Sequence, residues 1–470
     1  MEPENLRFGG GAAETAIHPL IALLLLISIV LLLVLPRAKG IGIFLLTYFM
    51  IPMGQVVVLG GFHFTALRIL TFAGLGRMIA SGKSSSEGEG RFPGGFNLID
   101  QAVVLWSVLA VITFYLQYME LQALIRILGD CVDGLGGYLV VRFFITDREA
   151  VRRAIKSLAA ICAIQGVCMI NERISHFNVF GLLGGIDTAV TIRDGRVRAA
   201  GVMGCLYAGA FAGVLVPVFV WLWTEGKSRM LALAGVAGAT AMVITSNAST
   251  SIMALAGSIV GLAFWPLRKQ MRLVRWGLVS MLVSLHLVMK APVWALIGRI
   301  DLTGSSSGEQ RYALLDNCIK HFRDWWLIGT THYNEWGWGM WDLCNQFVAV
   351  ALTGGLLTLI CYIAIFKRSF RAIGNARKLV DGDRGQEWFL WCMGADLFAT
   401  VVASFGINSV SQILMGFFPL LACISVTVFC ASQTAAVKAD IPSGSPLAPL
   451  PAAARLKLPI GQRVPRVHPR

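Results

Sequence analysis

The chain has 470 residues, 56% of them hydrophobic and 14% charged, with a mean hydropathy of +0.69. A water-soluble globule needs more polar surface than this, so a soluble fold is excluded. The formal charge of +14 would point to nucleic acid in a soluble protein, but in a membrane protein basic residues simply collect in cytoplasmic loops.

The first apolar run, "HPLIALLLLISIVLLLVLP" (18–36), reaches the roughly 20 residues needed to cross a hydrocarbon core of roughly 30 Å. It lacks a small-residue cleavage pattern and is followed by further runs, so it reads as a retained span. Thirteen spans are predicted, near 18–35, 41–59, 64–80, 98–116, 121–145, 155–170, 200–223, 230–246, 250–266, 275–289, 345–366, 388–406 and 412–431. One re-entrant segment within 41–80 or 117–145 would make the count twelve. Backbone groups in lipid must be satisfied within their own helix, so sheet is not expected. The expectation is an all-α polytopic membrane protein of about 12–13 transmembrane helices, a single domain over 1–431.

Charge alternates along the connections. "PRAK", "TDREAVRRAIK", "TEGKSR", "PLRKQMRLVR" and "KRSFRAIGNARKLVDGDR" fall on one side, read as cytoplasmic, with the N-terminus outside. A Gly/Ser-rich linker (81–95) and a basic, Pro-rich tail (432–470), expected to be disordered, lie on that side. The outer side carries short turns ("SNAS", "INSV") and two long loops, 171–199 and 290–344. The cysteines lie mostly in spans as small hydrophobes. Cys318 and Cys344 fall in the second loop, either as two free thiols or as a disulfide.

Cations that topology keeps out of outer loops need a reason where they remain. The first loop holds Arg193, Arg196 and Arg198; the second holds Lys290, Arg299, Arg311, Lys320 and Arg323. Arg193, Arg196, Lys320 and Arg323 read as headgroup-facing charges. The functional reading of the two basic loops is an anionic ligand, since the planar guanidinium fits phosphate oxygens in pairs. "GSSSGEQRYALLDNCIKHFRDWWLIG" predicts a short amphipathic helix flat on the membrane, with a capping box at Ser306 or Ser307 and Glu309 or Gln310. Arg311 would sit in its first turn, where the helix dipole disfavours a cation. Beyond Gly329, Trp336, Trp338 and Trp341 read as an interfacial aromatic belt, with sugar stacking as the other option. His332 is either a solvated loop histidine or a base; Asp342 is either a helix cap or a catalytic carboxylate.

Together these residues resemble the O-antigen ligase and polymerase proteins, membrane glycosyltransferases of bacterial surface-polysaccharide assembly. The resemblance covers most of the membrane portion, best over roughly 200–370. The family's Arg-x-x-Gly reads here Arg198-Ala-Ala-Gly201; the Arg opening its loop helix is Arg311 in "GEQRYALL"; a following Gly is Gly329 in "LIGT". "CNQFVAVALTGGLLTL" supplies Asn345, Gly355 and Leu356. Two positions depart from the pattern: Cys344 stands where the family has His, and Thr250 in "NASTSIMAL" stands where it has Arg.

The resemblance implies a glycosyltransferase C-like architecture in the bacterial inner membrane with a periplasmic active face. The donor would be a glycan on undecaprenyl pyrophosphate, the acceptor a sugar hydroxyl on a second glycan or on lipid A core. No cofactor and no nucleic acid is implied. The outer loops lack a paired-acid metal motif, so Arg198 and Arg311 are assigned to the pyrophosphate, in a metal-independent reaction. His332 and Asp342 are candidate bases, and Asn345 would orient the acceptor. The rival class is a polysaccharide or lipid-linked sugar transporter or flippase, for which Arg126, Asp130, Asp133, Arg142, His286 and Asp396 would be the intramembrane ionisable groups, with a re-entrant break at "DCVDGLGG".

Overall fold

The computed structural model describes residues 15–60, 62–81, 91–193, 195–299, 307–337, 339–340, 342–408 and 412–439. The chain runs through Pro19–Val34 (α1), Arg37–Met50 (α2), a hairpin of Val56–Leu59 (β1) and Phe62–Thr65 (β2), Ala66–Ser81 (α3) and Leu98–Tyr118 (α4). Leu121–Cys131 (α5) passes through a π-helical turn, Val132–Gly136, into Gly137–Phe144 (α6), followed by Arg148–Ser175 (α7). A second hairpin, Thr191–Arg193 (β3) and Arg196–Arg198 (β4), precedes Cys205–Glu225 (α8), Arg229–Ser246 (α9), Ser249–Ala263 (α10) and Met271–Val288 (α11). Leu296–Arg299 (α12), Ser307–Lys320 (α13) and Phe322–Trp325 (α14) lead to Gln346–Leu379 (α15), Arg384–Ser404 (α16) and Gln412–Ala439 (α17).

Helix fills most of the predicted spans, the second half of 41–59 excepted. Among the described residues α4, α7, α8, α9, α11, α15 and α17 are long and apolar enough to cross a bilayer, and the shorter α1 and α10 are also apolar. The chain is a multi-pass helical membrane protein.

Three expectations change. The run at 41–59 is helix only to Met50, then turns into β1, so the fold includes two small antiparallel hairpins, β1–β2 and β3–β4. "DCVDGLGG" is no break: the path from Leu121 to Phe144 stays helical through the π turn, and Asp133 is held by Arg68 through two bonds of 3.1 and 2.7 Å. The segment expected as a disordered tail from 432 begins as helix, since α17 reaches Ala439. Residues 440–470 and 82–90 of the linker lie outside the described structure. Cys318 and Cys344 are free thiols.

Small residues let the central helices approach closely. A Cβ on Gly166 of α7 would lie 2.6 Å from Gly238 Cα of α9, and one on Gly261 of α10 would lie 2.8 Å from Ala395 Cβ of α16. At the basic end, cations are used as latches: Glu387 accepts from Arg268 (3.1 Å) and Arg377 (2.8 Å), and Arg142, fully buried, pairs with Asp100 at 3.3 Å. That accounts for part of the positive charge without invoking a polyanion.

The opposite end, with the long loops, is organised by a broken helix. In α15, Gly355 has φ 75 and ψ −179, a backbone region essentially open to glycine alone. The break frees backbone groups inside an apolar bundle, where leaving them unpaired is costly. The segment 326–330 supplies the partners. Leu356 N donates to Trp326 O (2.8 Å), Thr330 N donates to Leu352 O (2.8 Å), and Gln117 of α4 donates to Thr353 O (2.7 Å) and to Ile328 O. Gly329 has φ +90, and a Cβ there would lie 2.2 Å from Leu352 O; one on Gly355 would lie 2.5 Å from Leu327 O. The two glycines therefore let two backbones touch. Gly329→Ala or Gly355→Ala should each lower the thermal midpoint of the detergent-solubilised protein, through backbone strain of about 1–3 kcal/mol plus the clash; unchanged midpoints in both would mean this docking contributes nothing to the fold.

Candidate functional site

The hairpin β3–β4 carries the first basic cluster. Arg193 and Arg196 are exposed, whereas Arg198 at the end of β4 is 8% exposed. The turn after it is nailed to α7. Glu172 accepts from Ala200 N (2.8 Å) and Gly201 N (2.9 Å), and Gln165 accepts from Val202 N (3.3 Å). Asn178 donates to Gly201 O at 2.9 Å, and Gly201 takes φ +56 with Gln165 and Met169 packed where a side chain would go. The Arg-x-x-Gly stretch is thus a rigid turn built on a buried glutamate, which itself neutralises no cation there.

The second arginine reaches the same place. Arg311, on the fifth residue of α13 and so past its first turn, is 5% exposed. Its Nη2 donates to Thr250 Oγ1 at 3.0 Å, its Nη1 lies 3.6 Å from Met253 Sδ, and its Nε is buried without a partner. Burial lowers its pKa, opposed in part by the Cys344 thiol nearby. Among the described residues no carboxylate pairs with Arg311 or Arg198. The short turn between α9 and α10 ties both in: Ala199 N donates to Thr245 O (3.1 Å), Asn247 donates to Val197 O (2.7 Å), and Thr250 holds Arg311.

Asp342 and Cys344 lie at this patch. Gln310, next to Arg311, is 3.4 Å from Asp342 Oδ2. Asp342 is electrostatically coupled to Tyr207 in the first turn of α8, and Arg198 to Cys205 of the same turn. Burial pushes the Cys344 thiol up to about 11, with Asp342 adding and Arg311 opposing. Asn345, 1% exposed, is the true cap of α15, its Oδ1 accepting from Phe347 N (3.0 Å) and Val348 N (3.3 Å). The capping role considered for Asp342 therefore belongs to Asn345, whose carbonyl is committed to the helix. His332 stands apart, an exposed side chain whose Nδ1 meets Glu335 at 3.2 Å. No contact among the described residues joins it to the arginines.

α13 does not lie free on a surface. Leu314 and Cys318 are buried, and Cys318 and Trp325 pack on Val348, Ala351 and Leu352 of α15, while Ile319, Phe322 and Trp326 stay exposed. Trp336 stacks flat on His321 (4.5 Å, 7°). Trp338, Trp341 and Ser306 lie outside the described residues, as does the Ser307 side chain. Lys320 pairs with Asp316 at 2.6 Å, which disposes of it as an anion receptor.

Sequence reading missed Glu172, Gln165 and Tyr207, and took Thr250 only as a departure from a pattern. A signal existed for two of them: Gln165 and Glu172 are seven residues apart on α7, within and at the end of the apolar stretch that follows Lys156, and so share a face. Among the described residues no three His, Cys, Asp or Glu side chains gather as metal ligands. Compared with protein-family models and with curated proteins, the chain matches none.

The Cys344 thiol should be protonated at neutral pH, with a thiolate fraction of about one in a thousand at pH 8. Its alkylation rate should climb about tenfold per pH unit up to about pH 11. A rate already level between pH 7 and 8 would show a thiolate and contradict this environment.

Proposed function

We propose that the protein is a membrane glycosyltransferase of the O-antigen ligase or polymerase type, with a glycosyltransferase C-like architecture, acting at the periplasmic face of the bacterial inner membrane. The observation that carries the reading is Arg311: a buried guanidinium with an orphaned Nε and no carboxylate partner among the described residues, held by Thr250, while a second buried arginine, Arg198, ends a strand whose backbone, with Ala199 after it, bonds to Thr245 and Asn247 a few residues away. Two uncompensated cations in one apolar setting are costly unless an anion joins them. A diphosphate carries the charge and the oxygens to do so.

In this reading Arg198 and Arg311 receive the undecaprenyl pyrophosphate of the donor. The acceptor oxygen forms a bond to the anomeric carbon as the bond from that carbon to the diphosphate oxygen breaks. The electron pair leaves with the diphosphate, and the arginines stabilise it. The acceptor proton passes to Asp342, which is favoured over His332 because it is the carboxylate adjoining Arg311 through Gln310. Cys344, neutral at physiological pH, is a poor base. One displacement inverts the anomeric configuration. The transporter alternative draws less support, since Arg68–Asp133 and Arg142–Asp100 are closed pairs.

Reconstituted protein given an undecaprenyl-pyrophosphate-linked glycan and an acceptor glycan should release undecaprenyl pyrophosphate and lengthen the acceptor. Arg198→Ala and Arg311→Ala should each cut the rate by about 100-fold or more, and Asp342→Asn by about 100-fold, with membrane insertion unchanged. Full activity in both arginine variants overturns the assignment.

A further inference from the structure

We infer that Thr250 is a positioning residue for Arg311, orienting its guanidinium for a diphosphate without neutralising it. This rests on the diphosphate reading of Arg311. Thr250 is fully buried, and its hydroxyl has one proton, which it donates to Gly406 O at 2.7 Å. That acceptor lies just past the C-terminus of α16, the negative end of the helix. With the proton committed, a lone pair is left facing Arg311 Nη2 at 3.0 Å, so the hydroxyl can only accept from the cation.

A carboxylate in that place would hold the guanidinium more tightly but would pair its charge, and the arginine would then have little to offer an incoming anion. An apolar residue would leave Nη2 unpaired and its rotamer unset. Threonine does neither: it fixes one corner of the fork, while Nε keeps a free donor and Nη1 has only the weak Met253 sulfur. The fit is tight, since a Cβ on Gly406 would lie 2.8 Å from Thr250 Oγ1. The hydroxyl therefore also ties Arg311 to the connection between α16 and α17.

The test uses the purified full chain in detergent, with inorganic pyrophosphate and farnesyl diphosphate as probes and binding read by calorimetry. Arg311→Ala, Thr250→Val, Thr250→Ser and Thr250→Asp are compared, each checked for folding by gel filtration and thermal midpoint. Thr250→Val should weaken binding about tenfold, the loss of one charge-assisted hydrogen bond. Thr250→Ser should bind like the parent, and Thr250→Asp should bind more weakly than Thr250→Val although it restores a partner for Nη2. A merely structural role would not rank Asp below Val in that way. If Val does not yield folded protein, the Ser and Asp variants decide: parental binding in folded Thr250→Asp overturns the inference. Parental binding in folded Thr250→Val, with Arg311→Ala impaired, overturns it while leaving the diphosphate reading intact. Parental binding in Arg311→Ala overturns both.

Discussion

The architecture at the loop end depends on one constraint: a helix broken inside an apolar bundle must find partners for the backbone groups it releases. α15 is broken at Gly355, and the segment 326–330 supplies those partners, backbone to backbone, with Gln117 closing the remainder. Because that segment directly follows α13 and α14, its docking fixes the helix carrying Arg311 against α15. The same contact sets the start of α15, where Asn345 caps the helix and Cys344 lies near both Asp342 and Arg311. One paired set of glycines thus places the second loop's chemistry.

The first loop is fixed by a different device with the same logic. A carboxylate and a carboxamide from α7 accept the backbone N–H groups of the turn after Arg198. The negative charge of Glu172 is taken up by peptide groups, and Arg198 is left without a carboxylate partner among the described residues. At Arg311 a hydroxyl stands where an acid would have neutralised the cation. Both arginines are therefore held in position yet uncompensated, and the α9–α10 turn links the two supports. Elsewhere the bundle behaves differently: at the basic end arginines meet Glu387, Glu225 and Asp100, and there the pairs act as latches.

The family resemblance rested on a scatter of short elements: Arg198 with Gly201, Arg311, Gly329, Asn345 and Gly355. In three dimensions several of these have a structural task apart from any chemistry. Gly329 and Gly355 are a contact pair, Asn345 is a cap, and Gly201 is a left-handed turn. The arginines are the residues for which the fold offers no such internal purpose.

Composition and apolar run length were enough to determine a multi-pass helical membrane protein and to place most of its helices, because burying the backbone in lipid leaves few alternatives to helix. The expected exclusion of cations from outer loops drew attention to the two loops that hold Arg198 and Arg311, and the family resemblance chose those two among their neighbours. What the tertiary structure decided was which polar residues meet. Glu172 and Gln165 looked like ordinary polar interruptions of an apolar helix, and Thr250 looked like a lost arginine, because hydrogen bonds across 28 or 61 positions leave no trace in local spacing. His332 was singled out as a possible base, yet among the described residues its exposed imidazole meets Glu335, three residues on. Periodicity reports which face of a helix is apolar; only packing determines which helix that face meets, and hence which cations remain without an acid.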